Sequence, residues 1–584
     1  MCTPPTKCAP VNLILGLRAS ALFVPMVFLG LFGPEGLAAD PAHVDHVAAA
    51  VSSDDLHTVT ADHESCPMMD RGANGRDKSL KQRFPLGAKG LPKASRTETI
   101  SLNSGDVIEM ELAPVKKKIG GRWLRMLAYN GSVPGPTLRV RQGGKITLRL
   151  RNRGDTETSL HTHGVRLPNA FDGVPGLTQK TQRIGETLEY RLEFPDPGVY
   201  WYHPHVRTDY ALASGLYGAV VVTPTDTSYW PPVNREIVLA LADIALDPSG
   251  DRIPFFKEFV DHALMGRFGN SLLTNGDTDH RFAVKRGEVV RLYLTNVANA
   301  RVFNLAIPGV RMKQVGADLG RYPKETWVDS VVLAPGERRV VDVLFDRPGH
   351  YPLQHRTPNK THSLGSVTVN QQTISRSYAK AFSLLRTEGR DAGNNAALEP
   401  FFSIEPQKYL KLTLDMDHSL MEASTIGEHG LHRMPDGTLM KHAAMGQEES
   451  GDGIEWEDTM ATMNRAATSK TVVWKMVDEI TGKENMAIET WNFTQGDKIK
   501  IRLFNDPNGM HPMYHPIHFH GQRFLVLATN GVRNTNPAWQ DTTLIPQGAT
   551  VDILLDASNP GKWMAHCHIV EHAESGMMLP FQVK

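Results

Sequence analysis

From Glu98 to the C-terminus, polar and apolar residues alternate in short runs broken by Gly, Pro and Asn. A period of two predicts strands rather than helices. TLRVRQGGKITLRLRN (137–152) gives two strands around a Gly-Gly turn. The same cadence returns in FAVKRGEVVRLYLTN (282–296) and in IETWNFTQGDKIKIRLFN (488–505), each a strand, a Gly-centred turn and a strand ending in Asn. Three copies at wide spacing predict an all-β chain of three tandem Greek-key β-sandwich domains, since a solenoid would repeat at a far shorter period. The expected boundaries are 96–226, 233–372 and 404–584, with a polar linker at 371–403. Residues 40–95 show no sustained periodicity and read as a disordered tail.

Composition narrows this picture. A chain of 584 residues suits about three or four domains at roughly 150 residues each. Lys+Arg and Asp+Glu both number 63, so nothing argues for a nucleic-acid partner. At the N-terminus, Lys7 and Arg18 precede the apolar run ASALFVPMVFLGLFG, and small residues follow at Gly36 and Ala38. That is the pattern of a signal peptide spanning 1–39. The run is shorter than the roughly 20 residues of a spanning helix, so export without stable membrane insertion is expected, with a bacterial periplasm as destination. No twin-arginine pair marks the route. After removal of the leader only Cys66 and Cys567 remain, which excludes a disulfide framework. In the tail, His43, His46, His57, His63, Cys66, Met68 and Met69 offer loose copper ligands or simply a solvated segment.

The chemistry concentrates at HCHIVEHAESGM (566–577). Cys567 lies between His566 and His568, with His572 five residues on and Met577 ten. A cysteine, two histidines and a weak axial methionine are the ligands of a blue-copper site. Four H-x-H pairs occur: His161/His163 in LHTHG, His203/His205 in WYHPH, His518/His520 in HPIHFHG, and His566/His568. On a strand, residues i and i+2 share a face about 6.5 Å apart, which suits two imidazoles serving different metals of one cluster. Four pairs give eight ligands, enough for three coppers at two or three nitrogens each. Alternation also puts Cys567 on the face opposite its neighbours, so one backbone segment joins two metal sites. His515 is left as the second imidazole of the blue site. Zinc fits less well, because a structural zinc needs only one closed tetrahedral site.

Together, YNGSVPGPTLRV (129–140), HTHG, WYHPH, HPIHFHG and HCHIVEHAESGMM resemble the multicopper oxidases, the three-cupredoxin-domain family of laccases and bacterial cuprous oxidases. The resemblance covers about 96–584 and implies four copper ions and no other cofactor. By it, His515, Cys567 and His572 hold the type 1 copper with Met577 axial, and His161 and His518 the type 2 copper. His163, His203 and His568 hold one type 3 copper; His205, His520 and His566 hold the other. It also implies that a reductant gives single electrons to the type 1 copper, that these pass through Cys567, His566 and His568, and that O2 becomes water at the cluster. Asp172 in NAFDG matches a proton-carrying acid of bacterial members. Where some relatives carry an acid directly after the histidine matching His572, this chain has Ala573, with Glu574 next, and the second proton carrier stays open. Thr162 replaces the commoner tryptophan of HWHG without expected loss of copper. In the middle domain His280, His350, His355 and His362 are scattered and read as structural or exposed.

Residues 416–464 interleave Met416, Met421, Met434, Met440, Met445, Met460 and Met463 with His418, His429, His432 and His442. Thioethers are soft and select Cu(I), and methionine adapts to a mobile ion. These residues, with Met513, are the candidate substrate-copper ligands. The expected activity is oxidation of Cu(I) in copper tolerance, with phenols as laccase-type substrates. A general laccase or ferroxidase acting on Fe(II), or a periplasmic copper-sequestering protein, are the alternatives. A monomer is expected.

Overall fold

The computed structural model describes residues 82–387, 395–417, 426–427, 431–433, 439–441 and 451–584. The expected signal peptide and the tail's His43, His46, His57, His63, Cys66, Met68 and Met69 lie outside the described residues, as do Met421, Met434 and Met445. Met440 falls in the short strand Leu439–Lys441.

Among the described residues, six of the seven sheets form three successive pairs, as the alternation predicts, and the seventh is a small sheet of Ile426–Gly427, Leu431–Arg433 and Leu439–Lys441. In the first pair, a five-stranded sheet runs Thr99–Leu102, Thr137–Arg141, Gly218–Thr223, Gly198–His203, His161–His163. Its four-stranded partner runs Arg122–Tyr129, Val107–Ile119, Lys145–Asn152, Thr187–Glu193. Inward residues of both sheets, among them Leu112, Leu138, Leu148, Tyr190, Tyr202 and Val220, form one core. A middle pair spans strands from Arg235 to Thr373 and a third pair strands from Lys408 to Val583.

The recurring strand–Gly turn–strand unit is a corner between sheets rather than a hairpin. Thr137–Arg141 and Lys145–Asn152 belong to opposite sheets, and so do His280–Arg286 and Glu288–Asn296, and Asn492–Phe493 and Lys498–Asn505. The terminal Asn of each copy has a reason to recur. Asn152 Nδ2 donates to the carbonyls of Thr156 (2.9 Å) and Gln182 (3.1 Å). Asn296 Nδ2 donates to those of Arg301 (2.8 Å) and Leu333 (2.9 Å). Asn505 Nδ2 donates to those of Met513 (2.7 Å), Pro546 (3.0 Å) and Ile545 (3.2 Å). Each is a buried amide that satisfies loop carbonyls which burial would otherwise leave unpaired.

Two expectations change. The stretch read as a disordered tail to residue 95 is in place from residue 82. Phe84 is 4 % exposed and stacks on Tyr210 with centroids 3.8 Å apart, and Ala94 N donates to Lys116 O at 2.9 Å. A single anchoring aromatic and isolated backbone bonds leave no period in the sequence. Among its described residues the linker holds two helices, Ala379–Phe382 and Asn395–Ser403, and the preceding strand Thr361–Thr373 reaches into it.

The middle domain is wedged against both neighbours. Val199 and Val221 of the first domain share a cluster with Tyr293, Val315 and Val340 of the middle one. Ala263, Leu264, Met265, Ala300 and Val302 join the core of the third. Glu288–Asn296 is consequently buried at every position. First and third domains also meet directly. Asn169 Nδ2 donates to Lys562 O (2.6 Å), Asn559 Nδ2 to Leu167 O (2.8 Å), and Arg523 pairs with Asp196 (3.1 Å). No described helix is long and apolar enough to cross a membrane.

Candidate metal centre

Strand register brings the histidine pairs together. His161–His163 lies antiparallel to Gly198–His203, with His161 opposite His203. His515–Phe519 lies antiparallel to Gly561–Cys567, with His518 opposite His566 and Ile517 opposite Cys567. The docked first and third domains then interleave their rings. His163 stacks on His518 with centroids 3.7 Å apart, and His161 on His520 at 4.0 Å.

Within this cluster, ligand atoms gather within 4.8 Å in the groups His161/His518/His520, His163/His203/His568 and His205/His520/His566. Five of the second ring nitrogens are tied down. Nδ1 donates to a carbonyl in His161 (Asp172 O, 2.8 Å), His203 (Pro204 O, 2.9 Å), His518 (Asp541 O, 2.9 Å) and His566 (Cys567 O, 2.8 Å). His520 Nδ1 donates to Asp172 Oδ2 at 2.9 Å. These bonds fix the tautomer and leave the Nε2 lone pair free, as metal-binding histidines require. Nε2 of His161, His163, His203, His205, His518 and His568 is buried without a hydrogen-bond partner. Burial holds His203, His520, His566 and His568 well below the usual histidine range, so they are neutral. Burial lowers His205 to about 3. Six unpaired buried nitrogens would each carry a desolvation cost; shared metal ions remove it.

Across the strand from this cluster, Cys567 Sγ lies 3.6 Å from His515 Nδ1 and 3.8 Å from His572 Nδ1, and the two nitrogens are 3.4 Å apart. All three residues are buried. Burial lowers His515 to about 3 and pushes the Cys567 thiol up, so a cation is needed to hold the thiolate. His572 Nε2 donates to Leu264 O (3.3 Å), which aims Nδ1 at the sulfur. Trp474 stacks on His572 with centroids 4.0 Å apart and donates its Nε1–H to Ala263 O (2.7 Å). Met577 is fully buried in the same core and its carbonyl accepts from Cys567 N (3.1 Å). Soft sulfur with two imidazoles beside an all-imidazole cluster fits copper.

Asp172 is buried between His161 and His520, 3.3 Å and 2.9 Å from their Nδ1 atoms. Ala573 offers no carboxylate. Glu574 is turned to the helix Thr208–Ala213, where Thr208 N donates to it (2.9 Å), and burial pushes it up to about 7. Of the candidate substrate methionines, Met416 (8 % exposed) and Met513 (0 %) are core residues rather than surface ligands. Met460 and Met463 are partly buried against the same core. His355 is buried with Nδ1 accepting from Asn304 N (3.0 Å), and His362 pairs with Glu457 (3.0 Å), as expected of structural histidines. Sequence reasoning missed Trp474, Asp541 and Arg338. The inward phase of Val472–Asp478 marks Trp474, and two arginines opening the apolar strand Arg338–Phe345 mark Arg338. Asp541 had no such signal.

Sequence profiles described as multicopper oxidase match residues 115–227, 256–379 and 457–584. The chain is 27 % identical over 533 residues to multicopper oxidase MmcO of Mycobacterium tuberculosis, covering 84 % of this chain and 90 % of that one. It is 24 % identical to a copper resistance protein A homolog of Pseudomonas syringae pv. tomato, covering 85 % and 95 %. Its fold matches the solved multicopper oxidase of Campylobacter jejuni, described as a metallo-oxidase, with a TM-score of 0.60 at 22 % identity over 87 % of this chain and 100 % of that one. With three matched domains and a donor set that fits copper, the chain belongs to the multicopper oxidase family of oxidoreductases.

Proposed function

We propose that this protein is an exported, periplasmic oxidase that takes electrons singly from Cu(I) and reduces O2 to water in copper tolerance, with phenols and Fe(II) as further reductants. Four coppers are assigned: type 1 to His515, Cys567, His572 and axial Met577, type 2 to His161 and His518, and the type 3 pair to His163/His203/His568 and His205/His520/His566. When bound, copper supplies one-electron chemistry beside Cys567 and four-electron reduction of O2 at the histidine cluster. The chain does the rest. The backbone on either side of Cys567 links its sulfur covalently to two cluster imidazoles, His566 and His568. Asp172 sits where a proton can be held between His161 and His520, and close packing of the three domains excludes bulk water.

The observation that supports Cu(I) is the seat of the last part of the Met/His segment. Helix Ala461–Ala466 carries Met463 and follows Met460. Its buried Asn464 accepts from Met265 N (3.0 Å) and donates to Gly266 O (2.8 Å). That same middle-domain strip supplies Leu264 O to His572 and Ala263 O to Trp474. The thioethers are thus attached to the lid of the cysteine site. Replacing Met460 and Met463 with alanine in a protein that also lacks residues 418–450, with strand Lys408–Met416 and buried Asn464 left in place, tests the assignment. Oxygen uptake driven by Cu(I) should fall several-fold more than uptake driven by a phenol. Equal losses would remove Cu(I) as the preferred reductant.

A further inference from the structure

We infer that Arg338, from the domain without copper ligands, is a positioning residue for the histidine cluster: its guanidinium fixes the Asp541 carboxylate against His163 and His518. Arg338 is 0 % exposed. Its Nε donates to Val199 O (2.9 Å), and its Nη1 to Gly336 O (2.9 Å) and Asp541 Oδ1 (2.7 Å). Nη2 completes a two-pronged ion pair with Asp541 Oδ2. Asp541 Oδ1 is in turn 3.3 Å from His163 Nδ1 and 3.3 Å from His518 Nδ1, and accepts from Thr542 Oγ1 (2.7 Å). Asp318 supports both partners: Arg338 N donates to its Oδ1 (2.8 Å) and Asp541 N to its Oδ2 (3.2 Å).

One carboxylate therefore addresses a ligand from the first domain and a ligand from the third, and the middle domain holds that carboxylate. The surrounding backbone is built for the pair. At Gly164 (φ +84°) a Cβ would fall 2.1 Å from Asp541 Oδ2 and 2.6 Å from Arg338 Nη2. At Gly336 (φ +83°) it would fall 2.8 Å from the His568 ring and 3.3 Å from His163 Nε2. A planar guanidinium can grip a carboxylate with two parallel bonds and still reach two carbonyls; a lysine ammonium cannot. Second-layer partners of metal-bound histidines change metal affinity or activity by about 10–100-fold when removed.

The inference rests on the trinuclear copper reading proposed above, and wild-type protein tests that reading separately. Wild type, Arg338→Met, Arg338→Lys, Asp541→Asn and the double variant Arg338→Met/Asp541→Asn are loaded with copper. Copper per chain, the type 2 electron paramagnetic resonance signal and the blue absorption band are then measured. Arg338→Met and Asp541→Asn should keep the blue band while cluster copper binds about 10–100-fold more weakly and the type 2 signal is altered. Arg338→Lys should recover part of the loss, and the double variant should be no worse than the worse single one, because the two act as a unit. A merely structural staple would lower the unfolding temperature without touching the type 2 signal. An Arg338→Met protein with wild-type copper affinity and signal overturns the inference; should that variant not fold, the same result in Asp541→Asn overturns it. If wild type itself holds no type 2 copper, the trinuclear reading falls first.

Discussion

The three corner asparagines allow a prediction with an internal control. Asn505 spans three carbonyls, including Met513 O two residues before His515. Replacing it with alanine removes two amide N–H donors, worth about 1 kcal/mol each, and leaves buried carbonyls unpaired at about 1–3 kcal/mol, so about 3–5 kcal/mol in all. Asn296 makes the equivalent bonds at 2.8 and 2.9 Å, and its Oδ1 accepts from Ala298 N at 3.0 Å. Asn296→Ala should therefore cost a similar amount in a domain without copper ligands. Calorimetry of the metal-free proteins measures the stability change, and the blue band of the loaded proteins reports the cysteine site. Both variants should unfold at lower temperature, but only Asn505→Ala should shift or weaken the blue band. The reasoning fails if Asn296→Ala disturbs the band equally, or if neither variant loses as much as about 1 kcal/mol.

Cys567→Ser should abolish the blue band and the steady-state oxidase activity while the cluster histidines keep their copper, which metal analysis with absorption spectroscopy would check. Asp172→Asn preserves shape but removes the charge that His161 and His520 face; reoxidation of the reduced enzyme by O2 should slow by about 10–100-fold, with reduction of the type 1 site unchanged in stopped flow. Glu571, fully buried, is pushed up to about 8 by burial despite the bond donated by Asn299 Nδ2 at 2.7 Å. Between its ordinary 4.5 and about 8 the folded state keeps a proton that the unfolded state has lost. Stability of the metal-free protein is thereby drained as pH rises through that window, by up to about 1.4 kcal/mol per pH unit. Glu571→Gln lacks this slope, so its advantage over wild type in denaturant titrations should grow from about pH 5 to about pH 8; a constant difference would refute the sign.

What the sequence revealed follows from how local each signal is. The ligands were legible because each H-x-H pair lies on or leaves the end of a strand: His161 and His163 share one, and the strands ending at His203, Phe519 and Cys567 carry the first member of the other pairs. The sheet-crossing corners were legible as strands, but their function as corners depends on which sheet each strand joins, and that is a long-range outcome. Arg338 and Asp541 are 203 residues apart and meet only when two domains dock. Phe84 anchors the start of the described chain through one stacking contact that no periodicity announces. Met416 and Met513 carry the composition of a copper-binding segment, yet the strand Lys408–Met416 and the Asn505 clamp commit them to the core.

The central claim is that this chain builds two copper sites joined at Cys567. Anomalous diffraction at the copper edge from crystals of the loaded protein tests it most directly. The account predicts one peak within bonding reach of Cys567 Sγ, His515 and His572, and three further peaks among the eight histidines of the four pairs. A single ion in that cluster, or no copper at Cys567, would contradict it.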